Sequence, residues 1–283
     1  MPDEPNLLGE YLRARRELVT PDRVGIPGTG TRRVPGLRRE EVALLAGISA
    51  EYYLRLEQGR DRHPSVQVLQ AIARVLQLED DAYLLGLAVE RPRRPRRTAR
   101  REAVPASTQR LVADLPYPAF VEGRYLDVLA ANRFAAALSP RLVVGRNRLR
   151  DLFLEPAERA LFPDGEAAGR ALVAGFRQSV GSDIDDPRFI ELVGGLALAS
   201  EEFRRLWARH DVGPRQGAGF VLHHPEVGDL RLDREKLAVS GSPGLMLVIY
   251  HAEAGTDAAD RLALLLASAL PSASADARTP ERG

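Results

Sequence analysis

Residues 39–58 read Arg-Glu-Glu-Val-Ala-Leu-Leu-Ala-Gly-Ile-Ser-Ala-Glu-Tyr-Tyr-Leu-Arg-Leu-Glu-Gln, and their spacing predicts two short helices joined by a tight glycine turn. In the first, Val42, Ala43 and Ala46 form a narrow apolar stripe whose alanines let a second helix cross closely. Gly47 follows the last periodic residue and permits the left-handed backbone that closes a helix C-terminus. Ile48 is the apolar plug beneath the turn. Ser49 is an N-cap for the second helix, with Glu51 in its first turn, where the helix dipole favours a carboxylate. Tyr53 and Leu56 are predicted to face inward, leaving Ser49, Ala50, Glu51, Tyr52, Leu54, Arg55 and Gln58 on the outer surface or at its ends. Such a pair of helices is the unit that lays a helix in the major groove of DNA, where its N-terminal end meets base edges. Arg55 and Gln58 have the donor patterns that read guanine and adenine. The competing reading is an ordinary helical hairpin with a small-residue crossing.

The flanking sequence completes a small all-α domain. Helices are predicted over 7–18, 65–76 and 80–89, giving five around a core of Leu8, Leu12, Leu44, Leu45, Leu56, Val68, Ile72, Leu76, Leu84 and Leu85. Arg32, Arg33, Arg38 and Arg39 before the unit, and Arg60, Arg62 and His63 after it, are candidates for phosphate contacts, which set register while base contacts set specificity. The stretch Gly25-Ile-Pro-Gly-Thr-Gly-Thr has no strand before it and no Gly-Lys-Ser/Thr at its end, so it reads as a surface connector and not a phosphate loop.

Charge divides the chain. Residues 1–102 carry 19 arginines against 15 carboxylates, +4, and the remainder carries 21 basic against 24 acidic groups, −3. Much of the surplus lies in 91–101, where arginines alternate with prolines that deny a stable helix; an extended connector is expected, either solvated or touching phosphates. The division expected is a DNA-binding domain over 1–90, a basic linker over 91–105, a second domain over 106–271 and a disordered tail over 272–283. Cysteine is absent, which excludes disulfides and thiolate metal sites. The apolar runs near 245–250 and 262–270 are too short to span a bilayer and the N-terminus lacks signal-peptide order, so the cytoplasm is expected.

In the second half the periodicity changes. Residues 119–121 and 125–130 read as a hairpin around Glu122-Gly-Arg, and 219–223, 229–232 and 245–252 as further strands. Between them, 149–210 is mostly helical, with Leu172, Phe176, Phe189, Leu192, Val193, Leu196, Phe203, Leu206 and Trp207 supplying apolar surface. Strands at both ends with helices inserted make an α+β domain with an antiparallel sheet. Those helices either cover the sheet as an ordinary core or leave a ligand cavity.

Three runs in the first half, Arg33-Val-Pro-Gly-Leu-Arg-Arg-Glu-Glu-Val-Ala, Gly47-Ile-Ser and Tyr52-Tyr-Leu-Arg-Leu-Glu-Gln-Gly-Arg-Asp-Arg-His-Pro-Ser, resemble actinobacterial Xre-type regulators of the MmyB-like group. Pro118-Ala-Phe-Val-Glu-Gly-Arg, Leu126-Asp-Val-Leu-Ala-Ala-Asn, Glu202-Phe-Arg-Arg-Leu-Trp-Ala-Arg-His-Asp-Val and His224-Pro-Glu-Val-Gly-Asp-Leu are similar to that group's C-terminal domain. The resemblance implies an Xre/Cro-type helix-turn-helix transcription factor with a PAS-like C-terminal domain that takes a small apolar ligand, fatty acids being the implied class. Ala131 and Gly165 depart from it, standing where the group often has tryptophan and an aromatic, which leaves the pocket wider or differently plugged.

Phe120, Phe176, Leu196, Phe203 and Trp207 are the candidate apolar lining. Asn132, Arg177, Arg205 and His210 are the candidates to orient a polar head, since a carboxylate seeks a charge-assisted donor. Each has a plainer alternative: Asn132 caps a helix over 133–138, His210 covers a helix end, and the arginines face water. Catalysis is not supported. His223 and His224 point to opposite faces of a strand, His210-Asp211 has no serine or cysteine partner, no Gly-x-Ser-x-Gly elbow occurs, and 183–186 reads as a loop and N-cap. No cofactor is expected. The expected partners are a palindromic DNA operator bound by a homodimer, since one such unit reads only a few base pairs, and a small apolar ligand. The alternative is a DNA-binding adaptor whose second domain docks a protein.

Overall fold

Leu8, Tyr11 and Leu12 recur along one side of α1 (Leu7–Leu18), whose first turn is capped by Asn6. They pack with α2 (Arg39–Ala46), α3 (Ala50–Glu57), α4 (Val66–Val75) and α5 (Ala82–Ala88) around Leu37, Val42, Tyr53, Leu56, Leu69, Ile72, Leu76 and Leu84. The computed structural model describes residues 6–26, 34, 36–61, 63–78, 81–88, 102–181, 184–213 and 219–270. Arg32, Arg33, Arg62, Asp183, the arginine-rich 91–101 and the tail 272–283 therefore lie outside the described residues. A 3-10 turn, Pro21–Val24, follows α1. The helix-turn-helix forms as its residues dictate: Gly47 has φ 70°, and its amide and that of Ile48 close α2 on the carbonyls of Leu44 and Ala43. The Ser49 hydroxyl then accepts from the Tyr52 amide at 3.1 Å and starts α3.

The core differs from expectation at two positions. Leu44 and Leu45 are 79% and 42% exposed. At 3.6 residues per turn Leu44 stands roughly 200° round the helix from Val42, so a crossing through Val42 and Ala43 turns it outward. Leu37, which precedes α2, and Tyr11 fill the space instead.

After α6 (Ala106–Asp114), the strands β1 (Ala119–Glu122), β2 (Val128–Ala131), β3 (Phe220–His224), β4 (Gly228–Ala238) and β5 (Met246–His251) form an antiparallel sheet in the order β2-β1-β5-β4-β3. Tyr125 and Leu126, expected in a strand, turn instead, with Leu126 at φ 62°, and Asp127 forms an isolated antiparallel bridge with Asn147. Alternate side chains go to opposite faces. Phe120, Val248 and Tyr250 pack with α7 (Arg133–Leu138) and α13 (Asp257–Ser268) through Ala135, Leu138, Leu262 and Leu265. Ala119, Val121 and Leu247 pack on the other face with Val112 of α6. Between β2 and β3 the chain forms α8 (Arg148–Leu154), α9 (Pro156–Ala160), α10 (Gly165–Val180), α11 (Pro187–Ala199) and α12 (Glu201–Ala208). These close on a third core of Phe176, Phe189, Leu192, Leu196, Phe203 and Leu206, with Trp207 against it.

Candidate functional site

The outer face of α3 is held out by what lies beneath it. Tyr53 and Leu56 are fully buried, and Glu57, one turn after Tyr53, is buried beside them. Its carboxylate accepts from Arg16 Nε of α1 and from Arg39 Nε of α2, both at 2.6 Å, while Arg16 also donates to the Leu37 carbonyl. The Asn6 side-chain amide donates to the Glu57 carbonyl, so one residue ties α3 to both helices behind it. Sequence reading missed Glu57. Its position on the inward stripe of Tyr53 was the available signal, masked by a residue type that is normally solvated.

Ser49, Ala50, Glu51, Arg55, Gln58 and Arg60 are exposed on or beside α3, and Tyr52 and Leu54 are half-buried at its margin. Arg55 lies over the Tyr52 ring and 3.3 Å from Glu51, one turn earlier. An exposed pair of this kind is worth little, so the guanidinium is available to a base edge. Arg38 is exposed, its amide accepted by the Glu41 carboxylate. Arg39 is drawn back toward Glu57 and half-buried.

The predicted ligand residues separate into groups. Asn132 does not face a cavity: its oxygen accepts from the Ala119 and Ala135 amides, and its nitrogen donates to the carbonyls of Val112, Leu115 and Tyr117. It caps α7 and ties it to α6 and β1, and a side chain so fully engaged cannot orient a ligand. Arg205 is a second correction: it is exposed and paired with Glu166 at 3.0 Å. Phe120 is buried in the sheet, tilted against Tyr250 and covered by the Arg148 guanidinium. Phe176, Leu196 and Phe203 lie in the helical core, where Phe176 and Phe203 both touch Trp207. Arg177, Trp207 and His210 come together at a cleft, beside Phe189 and Val180.

That cleft lies between the two halves of the chain. Its other wall is Leu7 of α1 and Tyr83 of α5. Arg15 of α1 pairs with Asp211 at 2.6 Å, and Val212 packs against the N-terminal core. Arg177 lies 3.8 Å from the Trp207 ring centroid and donates to the Trp207 carbonyl. His210, in the left-handed conformation after α12, sets Nδ1 at 3.4 Å from Arg177. Burial, reinforced by the Arg177 and Arg15 charges, pushes the imidazole down to about 4, so at neutral pH it is uncharged.

Residues 104–265 match the family model of the MmyB-like transcription regulator ligand binding domain, and residues 7–84 match a helix-turn-helix domain. The chain belongs to the MmyB-like transcription regulators. No curated protein matched the sequence. The regulator thus joins a DNA-binding helix-turn-helix domain to a ligand-binding domain, and its five-stranded antiparallel sheet with inserted helices is a PAS-like architecture. Among its described residues no helix is long and apolar enough to cross a membrane.

Two features set this regulator's second domain. The space left by Gly165 is plugged, because the Arg159 guanidinium donates to the Gly165 carbonyl and pairs with Glu202 at 2.6 Å; a Cβ at 165 would lie 2.5 Å from Arg159 Nε. Within the sheet, the buried Glu122 carboxylate takes Arg148 at 2.6 Å and Lys236 at 2.7 Å. Burial alone would raise its pKa. The two cations override that and hold it at about 2.

Proposed function

We infer that the chain is a sequence-specific transcription regulator that binds a palindromic operator as a homodimer in the cytoplasm, with operator affinity modulated by a fatty acid in the C-terminal domain. It carries out no catalysis. Residues 1–90 read DNA, 91–105 connect, and 106–271 sense the ligand. The observation that carries the reading is the rigid seating of α3, with Ser49, Ala50, Glu51, Arg55 and Gln58 turned outward on a buried Tyr53-Leu56-Glu57 floor. Ser49 and Ala50 stand at the end that meets bases, Arg55 reads guanine, and Arg38, Arg60 and Arg62 hold phosphates. Two copies on half-sites about 34 Å apart supply the specificity that one unit lacks. A ligand changes operator affinity only through different affinities for the two states of the protein.

The test is operator affinity with and without medium-chain and long-chain fatty acids. At least a fivefold change with one of them is expected, the low end of ordinary coupling. No change with any of them contradicts the sensor reading.

A second reading is favoured by one observation. Ile190 and Leu198 on α11 are exposed, an apolar surface that suits a protein partner. In that case the second domain docks a protein and holds no small molecule. Native mass spectrometry of the purified chain discriminates, since a co-purifying lipid supports the sensor and an empty domain supports the adaptor.

A further inference from the structure

The first helix of the DNA-binding domain carries two neighbouring stripes with different destinations. Leu8, Leu12 and Arg16, four residues apart, face inward: the leucines are buried in the N-terminal core, and Arg16 Nε donates to Glu57 of α3 at 2.6 Å. Leu7, Tyr11 and Arg15 each stand one residue earlier, about 100° round the same helix. Leu7 lines the cleft opposite Arg177 and Trp207, the Tyr11 ring meets the Tyr83 wall edge-on at 5.2 Å, and Arg15 pairs with Asp211 at 2.6 Å. One helix thus touches the reading helix through one stripe and the ligand-binding domain through the next.

On the other side of the seam the contact is made by the end of α12. His210, left-handed at φ 53°, stops that helix, and the next two residues reach the DNA-binding domain: Asp211 meets Arg15, and Val212 packs against the N-terminal core. Arg177 of α10 holds this end from behind, donating to the Trp207 carbonyl and lying 3.8 Å from its ring centroid. Trp207 in turn stacks on Phe203 and leans on Phe176 and Phe189 of the helical core. Repacking that core moves Trp207, and with it the seat of Asp211.

The contact is built to open. Asp211 also accepts from Arg209 at 2.8 Å, so it keeps a partner when α1 leaves. Arg15 Nε and Arg177 Nε are buried and meet no acceptor among the described residues, and water in an open seam would satisfy both. Closure does not mask the reading face, because Ser49, Glu51, Arg55 and Gln58 are exposed while the seam is shut. The closed seam therefore holds α3 in place and leaves it accessible.

We propose that α1 is a two-sided coupler: its Leu7-Tyr11-Arg15 stripe latches the DNA-binding domain onto the end of α12, and the latched state is the one that binds the operator. The inference deepens the ligand-regulated reading and rests on it. Its added content is the element that carries the signal and the direction of the effect. With the latch closed, α3 is carried at a fixed angle to the second domain; once released, it must be ordered at the moment of binding, which costs affinity. A ligand acts on the operator by shifting the seam between closed and open.

The test uses the full chain and its single tryptophan, which lies in the seam. Arg15→Met, Asp211→Ala and the double variant are compared with wild type by acrylamide quenching of Trp207, and by affinity for an operator recovered by selection and for a random duplex. Each single variant should quench more readily and emit at longer wavelength. Each should bind the operator about threefold or more weakly, with the double variant no worse than the weaker single, because both changes cut one contact. Affinity for the random duplex should hold. A plain charge effect on DNA would move the two singles in opposite directions, since one loses a cation and the other an anion. Leu7→Ala, at the far end of the stripe, should behave as the singles do and keeps the test decisive should Asp211→Ala fail to fold; thermal midpoints check each variant. Unchanged quenching, opposite shifts in operator affinity, additive losses in the double variant, or full operator affinity with an opened seam overturns the proposal. If wild type prefers no duplex over random DNA, the regulator reading fails and takes the operator half of the proposal with it, while quenching still decides whether Arg15 and Asp211 close the seam.

Discussion

Replacing Glu57 by alanine is expected to destabilise the N-terminal domain by about 3 to 5 kcal/mol. The mutation does more than delete an ion pair. Arg16 stays behind the helices, buried, keeping the Leu37 carbonyl and a 3.8 Å ion pair with the exposed Glu17, and a buried charge that has lost its buried counterion is the expensive outcome. A loss of this size is a large fraction of the stability of a small domain, so α3 should lose its seat and DNA binding should fall with it. Glu57→Gln, which can still accept hydrogen bonds, should cost less. Amide exchange across α1, α3 and α4 measures the effect directly; Trp207 fluorescence reports on it only through the cleft that the single tryptophan shares with Leu7 and Tyr83. A loss below about 1 kcal/mol would mean that Arg16 finds water or another partner without cost.

Glu122→Ala should be comparably severe in the second domain, again about 3 to 5 kcal/mol. Two largely buried cations would then face each other, Arg148 from α8 and Lys236 from β4, with the anion between them gone. The same carboxylate gives wild type a pH signature. Its folded pKa, about 2, is below its ordinary value of 4.5, so the folded state binds this proton more weakly than the unfolded chain does. Its contribution is fully present above about pH 4.5 and is lost as pH falls toward 2. Denaturant titrations at pH 6 and pH 3, followed by Trp207 fluorescence, should show wild type losing more stability across that interval than Glu122→Gln. Equal losses would remove Glu122 from the acid response.

Local chemistry was legible in the sequence, and long-range partnership was not. Gly47 and Ser49 announce the turn because a left-handed residue and a side-chain cap act on backbone within four residues. Arg15, by contrast, takes Asp211 as a partner 196 residues later in the chain, which no periodicity encodes. Leu44 looked like core because leucine usually is; only the angle at which α2 crosses its neighbours turns it outward. The residues of α6 are mostly polar and gave no stripe to read, so the three carbonyls that occupy Asn132 were invisible, and its cap role and its ligand role could not be separated. The far half of β4 is charged and reads as loop, yet Lys236 there is the one lysine of the chain and points at Glu122. Residues 91–101, expected to form an extended connector, lie outside the described residues. Among the described residues the domains meet through the Arg15–Asp211 pair and at the cleft lined by Leu7, Tyr83, Arg177 and Trp207.

The central claim is that the outward face of α3 reads bases. It is tested most directly by measuring the affinity of wild type and Arg55→Ala for an operator recovered by selection from random duplexes, and for a random duplex of equal length at the same salt concentration. The account predicts a loss of about 1 to 3 kcal/mol on the operator and little change on random DNA. Equal losses on the two duplexes would reduce Arg55 to a phosphate contact, and no loss on either would contradict the claim.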